Sequence, residues 1–329
     1  MRAVRVSEFG GPEVLKIDES AVVPQPKPTE LLVKVEAAGV NPVDTYVRNG
    51  AFYRLPQQLP YTPGSDGAGT VEAVGEEAVG RFKVGERVFF LSASSGAYAQ
   101  FCTVPHYAAF PLPERVDFQK GAAVGIPYMT AYRALFLKGK CAAGRCVLVH
   151  GASGAVGIGC VQLAKAVGGV RVFGTAGSEE GRRLLKDNGA DLVVNHRDES
   201  HFDEILKATD GKGVDVIIEM LANANLGRDL SLLSQNGVVV VVGSRGEVQI
   251  DPRQLMIREA SITAVALRSA TKEELLTAGG AVSSQLSSGQ LSPVVSRTYP
   301  LSAVAQAHVD IMEPASGAAA GKLVLLPND

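Results

Sequence analysis

The stretch Cys146-Val147-Leu148-Val149-His150-Gly151-Ala152-Ser153-Gly154-Ala155-Val156-Gly157 carries the most legible chemistry in the chain. An apolar run of strand length enters a glycine turn, and a helical pattern through Gln162, Leu163 and Lys165 leaves it. In the G-x-G-x-x-G register the first place is Ala152, Gly154 lets a ligand approach the backbone, and Gly157 lets helix and strand pack closely. Amides at the start of such a helix have no intrahelical acceptor, so they can hold a pyrophosphate. The spacing therefore points to dinucleotide binding, against the alternative of a helix N-terminus that merely packs. Further on, where NAD-binding folds set a carboxylate against the ribose 2'-hydroxyl, stand Phe173-Gly174-Thr175-Ala176-Gly177-Ser178. With no carboxylate to repel a 2'-phosphate, and with Arg182 and Arg183 following, NADP(H) is expected over NAD(H). Either arginine also fits a solvated helix face.

Other reactive residue types are scattered. Cys102, Cys141, Cys146 and Cys160 form no C-x-x-C pair and have no histidine or basic cluster beside them. Buried reduced thiols are expected, not a disulfide framework, a zinc site or an activated thiolate. His150, ending an apolar strand, is expected to be a satisfied core histidine. Asp44, early in a helix begun by Pro42, is expected to compensate the helix dipole. No G-x-S-x-G elbow or P-loop occurs, so hydrolysis and phosphoryl transfer have no support. Lys plus Arg (32) and Asp plus Glu (34) leave a net charge of -2, which gives no general basic field for nucleic acid or an anionic membrane. Residues 1–14 lack the apolar core of a signal peptide, and no apolar run reaches the roughly 18 residues of a membrane span, so a soluble cytoplasmic protein is expected.

Two patterns must position these residues, and 329 residues, 46% of them hydrophobic, suffice for two domains. Early in the chain, short alternating runs such as 31–35 and 69–74 are separated by proline and glycine clusters at 24–28, 60–64 and 111–113, as in a β-rich, barrel-like domain. Later, almost wholly apolar runs at 146–150, 170–175, 192–195, 214–219 and 238–242 alternate with amphipathic stretches, as in a parallel doubly wound sheet. A helix over 272–287, a strand near Val294, a helix over 303–312 and a strand over 322–326 are expected to return to the first domain. The expected division is a catalytic domain over 1–120, joined by 270–329, and a cofactor domain over 121–269, with the nicotinamide in the cleft between them.

A β-rich domain ahead of a dinucleotide domain, with the C-terminus folding back, resembles the medium-chain dehydrogenase/reductase superfamily. Its zinc alcohol dehydrogenases carry a cysteine ligand just after the strand that here ends Ala37-Ala38-Gly39-Val40, and a Gly-His-Glu motif further on. Those places here hold Asn41 and Pro63-Gly64-Ser65-Asp66. Asparagine and serine are poor zinc ligands, and the four-cysteine lobe of a structural zinc is absent, so no metal is expected. The segments GVNPVDTYVRNG (39–50), LPYTPGSDGAG (59–69), GIPYMTAYRAL (125–135), VLVHGASGAVG (147–157), NGADLVVNHR (188–197), IIEMLANANL (217–226) and VVGSRG (241–246) resemble the zinc-free quinone oxidoreductases, above all their zeta-crystallin branch, in order and spacing.

This resemblance implies an α/β protein with a β-rich GroES-like catalytic domain and a doubly wound Rossmann cofactor domain. It implies zinc-independent, NADPH-dependent reduction of quinones, with ortho-quinones favoured and transfer by one electron, in a homotetramer. NADPH-dependent reduction of enones or alkenals is the alternative on the same scaffold. A lens crystallin role, or binding to AU-rich 3'-untranslated messenger RNA, is the alternative from another class. Carried over position by position, the resemblance puts Asn41 and Tyr46 on the catalytic side, with Tyr46 beside the nicotinamide as a positioning group. Ser153, Gly154, Ala155 and Val156 fall at the pyrophosphate, and Gly177 and His196 near the adenosine. Asn225, Val242, Gly243, Ser244, Arg245, Val265, Ala266 and Leu267 fall along the nicotinamide half. Plainer roles compete: a surface loop residue for His196, a helix cap for Asn225, a packed aromatic for Tyr46. A family tyrosine aligns with Phe52, beside Tyr53, which takes a hydroxyl from that place.

Overall fold

The computed structural model describes residues 1–51, 58–312 and 320–329, so Phe52 and Tyr53 lie outside the described residues. The chain divides into two compact units, Met1–Ile126 with Thr271–Asp329, and Pro127–Ala270.

The first unit opens with an antiparallel pair, β1 (Ala3–Arg5) and β2 (Lys16–Asp18). Its central strand, β3 (Glu30–Val40), alternates buried Leu31, Val33 and Val35 with partly exposed Leu32, Lys34 and Glu36, the period of a half-buried strand. From Ala37 to Val40 every residue is buried, so the strand delivers the next residue, Asn41, into the interior. Helix α1 (Pro42–Arg48) starts there, with Pro42 suited to the first helical turn, where its missing N–H loses no bond. Strands β4 (Asp66–Val74), β5 (Arg87–Leu91), β6 (Phe101–Pro105) and β7 (Ala109–Pro111) follow, then the short α2 (Phe118–Ala122). Helix α3 (Gly125–Tyr132) leads out of the unit.

In the second unit the chain alternates β8 (Cys146–Val149), α4 (Ala155–Val167), β9 (Arg171–Thr175), α5 (Glu179–Asp187), β10 (Leu192–Val194), α6 (His201–Ala208), β11 (Val214–Glu219), α7 (Ala222–Leu232), β12 (Leu233–Val241), α8 (Pro252–Arg258) and β13 (Ser261–Ala264). Among the described residues these strands form one six-stranded parallel sheet in the order β10-β9-β8-β11-β12-β13. Leu148, Phe173, Ile205, Ile217, Leu230 and Val239 are core members on one of its faces. The order reverses between β8 and β11, and a crevice at the carboxyl ends of two such strands is where open α/β sheets bind ligands. Two features differ from the sequence expectation. The sixth strand, β13, has no apolar run because it lies at the sheet edge, where Ser261 to Ala264 are exposed or half-buried. Strand β12 begins at Leu233, ahead of its apolar run, and carries the exposed turn-like Asn236 at φ 60°.

The chain then adds α9 (Lys272–Ser288), β14 (Val295–Pro300), α10 (Val304–Met312) and β15 (Lys322–Leu326) to the first unit. A reciprocal cap starts α9, in which Thr271 Oγ1 accepts from Glu274 N (3.2 Å) and Thr271 N donates to the Glu274 carboxylate (3.1 Å). Strand β15 pairs antiparallel with β3, Leu323 opposite Val40, which brings Lys322 beside Asn41. Among the described residues no helix is long and apolar enough to cross a membrane.

Candidate cofactor site and the Asn41 cluster

The glycine turn sits at the carboxyl end of β8. Gly151 takes φ +57°, and its N–H donates to Thr175 Oγ1 (3.1 Å), while Ala152 N–H donates to the Thr175 carbonyl (2.9 Å). These bonds tie the turn to β9. Gly154 is the N-cap of α4 and brings no side chain to its free amides. A Cβ there would meet only Gly151 O, at 3.6 Å, so space lies open in front of the turn. A Cβ on Gly157 would instead fall 2.4 to 2.6 Å from the Ala152 backbone, too close for any side chain. Ser153, Gly154, Ala155 and Val156 are all partly exposed. Backbone donors without a competing cap, beside open space, suit a pyrophosphate.

Beyond β9, a Cβ on Gly177 would sit 2.6 Å from His196 Nε2 and 2.8 Å from Arg197 Nε, so these three residues meet at one place. His196 Nδ1 lies 3.4 Å from Thr175 Oγ1. Desolvation of its inner edge, then the positive fields of His150, Arg197, His201 and Arg182, lower its pKa. Arg182 is half-buried on α5 and within electrostatic reach of His196, whereas Arg183 is exposed. Arg197 escaped the sequence reasoning although it follows His196 directly. Only the fold turns that neighbour toward Gly177.

The ends of β11, β12 and β13 gather the remaining candidates. The Glu219 carbonyl accepts from Val242 N (2.8 Å) and Gly243 N (3.3 Å), and Ala222 N donates to Gly243 O (2.9 Å). Arg245 N donates to Asn223 Oδ1 (2.8 Å), and Ser244 Oγ donates to Gly246 O (2.9 Å). Val265 N donates to Val241 O (3.0 Å), and the carbonyl of Ala266, next to Leu267, accepts from Arg133 Nη1 (2.9 Å). Asn225 is inside α7, whose N-cap is Leu221, so it is no helix cap. Its Nδ2 donates to both oxygens of Glu219, at 3.2 Å each.

Beneath this end lies a charged group that the sequence did not disclose. His150 Nε2 is 3.0 Å from Asp229 Oδ1 and 3.9 Å from Glu219 Oε2, and all three side chains are buried. Yet neither His150 Nε2 nor the Asp229 oxygens make an aligned hydrogen bond, so the contact is electrostatic. His150 is therefore a core histidine but not a satisfied one, because its partners are carboxylates carried by β11 and α7. Burial pushes the Glu219 carboxyl up to about 7, against the charge of His150. Burial would lower the His150 pKa, but Asp229 and Glu219 raise it.

In the first unit, Asn41 is buried at the start of α1. Its N–H donates to Asp44 Oδ2 (2.9 Å), its Nδ2 donates to Asp66 Oδ1 (2.7 Å), and its Oδ1 accepts from the Lys322 ammonium. Lys322 Nζ also lies 3.5 Å from Asp66 Oδ2. Tyr98 Oη donates to Asp44 Oδ2 (3.0 Å) and touches His308 Nε2 (3.3 Å), whose other ring nitrogen is 3.2 Å from Arg48 Nη1. Asp44 thus serves the start of α1, and it is also a buried acid: burial and then Asp66 push its carboxyl up to about 6, against Lys322. Ser65 Oγ reaches Asp44 Oδ1 at 3.5 Å. Tyr46 lies on α1 and is half-buried. All four cysteines are buried, and burial raises each thiol pKa.

A β-rich unit and a six-stranded parallel sheet in this strand order define a medium-chain dehydrogenase/reductase. Two family models agree: an alcohol dehydrogenase GroES-like domain matches residues 27–114, and a zinc-binding dehydrogenase model matches 155–279. The chain is 53% identical over 326 residues to the quinone oxidoreductase of Lama guanicoe, covering 99% of this chain and 97% of that protein. It is 52% identical to the quinone oxidoreductase of Homo sapiens, covering 99% and 98%. The solved Escherichia coli quinone oxidoreductase complexed with NADPH superposes with a TM-score of 0.88 at 29% identity, covering 99% of this chain and all of that one. The chain belongs to the quinone oxidoreductase family, and it is an enzyme, an oxidoreductase. The name of the second family model implies zinc, and the Asn41 cluster does not suit it. The Lys322 ammonium already holds Asn41 and faces Asp66, so a dication there would meet a buried positive charge and amide and hydroxyl donors that zinc seldom takes.

Proposed function

We propose that this chain reduces quinones with NADPH and without a metal. The observation that carries this is the Lys322 ammonium on Asn41 and Asp66, which stand at the places where the resemblance puts the zinc ligands of the alcohol dehydrogenases. An alcohol needs a Lewis acid to be oxidised, whereas a quinone accepts electrons without one. The full-length likeness to quinone oxidoreductases supports the same acceptor.

Ser153 to Val156 would hold the pyrophosphate through backbone amides. Arg197, which meets Gly177 and His196, and Arg182, within electrostatic reach of His196, would take the 2'-phosphate, which no carboxylate at 175–178 repels. Asn225, Val242 to Arg245, and Val265 to Leu267 would line the nicotinamide half. NADPH, when bound, supplies the electrons. Ortho-quinones are the favoured acceptors and transfer proceeds by one electron at a time, in keeping with the family resemblance, which also implies a homotetramer; binding to AU-rich RNA is the alternative from another class. Light scattering and NADPH competition against labelled RNA test those last two.

Tyr46 acts by shaping the site rather than by giving a proton, so solvent protonates the reduced quinone. The test is turnover of phenanthrenequinone and of an alkenal with NADPH and with NADH, for the parent and for Tyr46→Phe. The parent should prefer the quinone and NADPH, and Tyr46→Phe should keep most quinone turnover. A general acid typically contributes about 10²- to 10⁴-fold, so a hundredfold fall in quinone kcat with cofactor affinity intact would make Tyr46 the acid. Faster turnover of the alkenal would make the enzyme an enone reductase.

A further inference from the structure

The buried carboxylate of Glu219 ends β11 and accepts from the Leu221 N–H and from Asn225 Nδ2. Glu219 Oε1 already accepts from the Leu221 N–H, so it meets Asn225 as an acceptor and the Asn225 amide turns its NH2 toward it. Its carbonyl oxygen is then fixed as an acceptor on the other side of the amide plane. Asn225 is half-buried, so that oxygen is within reach of a ligand. We propose that Glu219 is a positioning residue which locks the Asn225 amide so that Oδ1 accepts from the NH2 of the nicotinamide carboxamide. This rests on Asn225 lining the nicotinamide half, as taken under Proposed function.

The groups that face Glu219 explain how a buried carboxylate can stay committed to this task. His150 approaches from the end of β8, and Asp229 and Asn225 approach from α7. His150 Nε2, 3.0 Å from Asp229 Oδ1 and 3.9 Å from Glu219 Oε2, is the basic group beside these two carboxyls, which no Lys or Arg is seen to approach among the described residues. Thr175 Oγ1, 3.5 Å from His150 Nδ1, also accepts from Gly151 N, so the group behind Asn225 is anchored to the glycine turn as well. The same ligand-type atoms lie within 4.8 Å of one another, the spacing of a cation site. Both Asn225 and Leu221 already draw on Glu219, which favours positioning over metal ligation.

The experiment compares Kd, by titration calorimetry, for NADP+ and for its 3-acetylpyridine analogue, whose acetyl group keeps the carbonyl and lacks the NH2. In Glu219→Gln the amide is free to flip. Affinity for NADP+ should fall about three- to tenfold, the weight of one hydrogen bond, with the analogue unchanged. Asn225→Ala should show the same split, and the double variant should add nothing to either single. Asn225→Asp presents an acceptor oxygen whichever way its carboxylate turns, so it should keep the preference for NADP+ and lose none of it when Glu219→Gln is added. Equal losses for both ligands in Glu219→Gln would overturn the proposal as a structural effect. A normal preference in Glu219→Gln, or a preference lost when Glu219→Gln is added to Asn225→Asp, with the split present in Asn225→Ala, would overturn the clamp and leave Asn225 at the cofactor. No effect of Asn225→Ala would overturn both. Stoichiometric divalent metal in the purified chain, by elemental analysis, would also overturn the proposal.

Discussion

Replacing Lys322 with methionine keeps the length of the side chain and removes one buried ammonium. Lys322 and Asp66 have side chains 2% and 0% exposed, so water cannot screen the charge left behind. Breaking such a pair from one side typically costs about 3–5 kcal/mol, because the surviving carboxylate stays buried without its partner. The Asn41 Oδ1 acceptor loses its donor at the same time. Lys322→Met should therefore lose about 3–5 kcal/mol of stability at pH 7.5. The pH dependence follows from Asp44, whose folded pKa of about 6 already exceeds its ordinary value of 3.8 and which Lys322 holds down. Without Lys322 the folded pKa rises further, so the folded chain binds this proton more tightly than the unfolded chain. Stability from that proton is present at low pH and is lost as pH rises through the folded pKa. Each further unit of rise is worth about 1.4 kcal/mol, so the deficit of the variant should shrink by roughly that amount between pH 7.5 and pH 5. The chain has no tryptophan, and far-ultraviolet circular dichroism in urea is the suitable signal. Adding Asp66→Asn removes the pair as a whole and should restore much of the loss. A deficit below about 1 kcal/mol, or one equal at both pH values, would refute the assignment of Lys322 as the charge that holds this cluster together.

Three further outcomes can be checked. Arg182→Ala combined with Arg197→Ala should weaken NADPH roughly tenfold to a hundredfold and leave NADH nearly alone, by calorimetry, since charge-assisted bonds to phosphate are worth about 1.5–3 kcal/mol; equal losses would make these arginines structural. Gly157→Ala should destabilise by about 1–3 kcal/mol in urea despite the helix preference of alanine, because its Cβ would meet the Ala152 backbone at 2.4 Å, and it should weaken NADPH through the displaced turn. The four buried thiols, two of them pushed up to about 11 (Cys141) and about 12 (Cys146), should react with iodoacetamide at pH 7.5 only after unfolding, as counted by mass spectrometry.

Periodicity and composition alone made the two architectures legible. The strands at 146–149 and 214–219 are nearly unbroken apolar runs because helices cover both faces of a parallel sheet, and 31–35 alternates because one face of β3 meets water. The glycine turn was legible for a local reason: strand, turn and helix are contiguous, and Gly154 and Gly157 are required by backbone approach rather than by anything distant. The edge strand β13 was not, since an edge needs no apolar run.

What the sequence could not state is which charges share an interior. Asn41 and Ser65 were visibly poor metal ligands, but nothing in the chain says that Lys322, 281 residues from Asn41, fills their midst; only the pairing of β15 with β3 does. His150 read as the end of an apolar strand and Glu219 and Asp229 drew no attention, until the strand order set β8 beside β11 with α7 against them. Local sequence sets the pattern of burial along each element, because that depends on neighbours a few residues away. The partner of a buried charge is chosen by strand order and register, which depend on the whole chain, and that choice belongs to the tertiary structure.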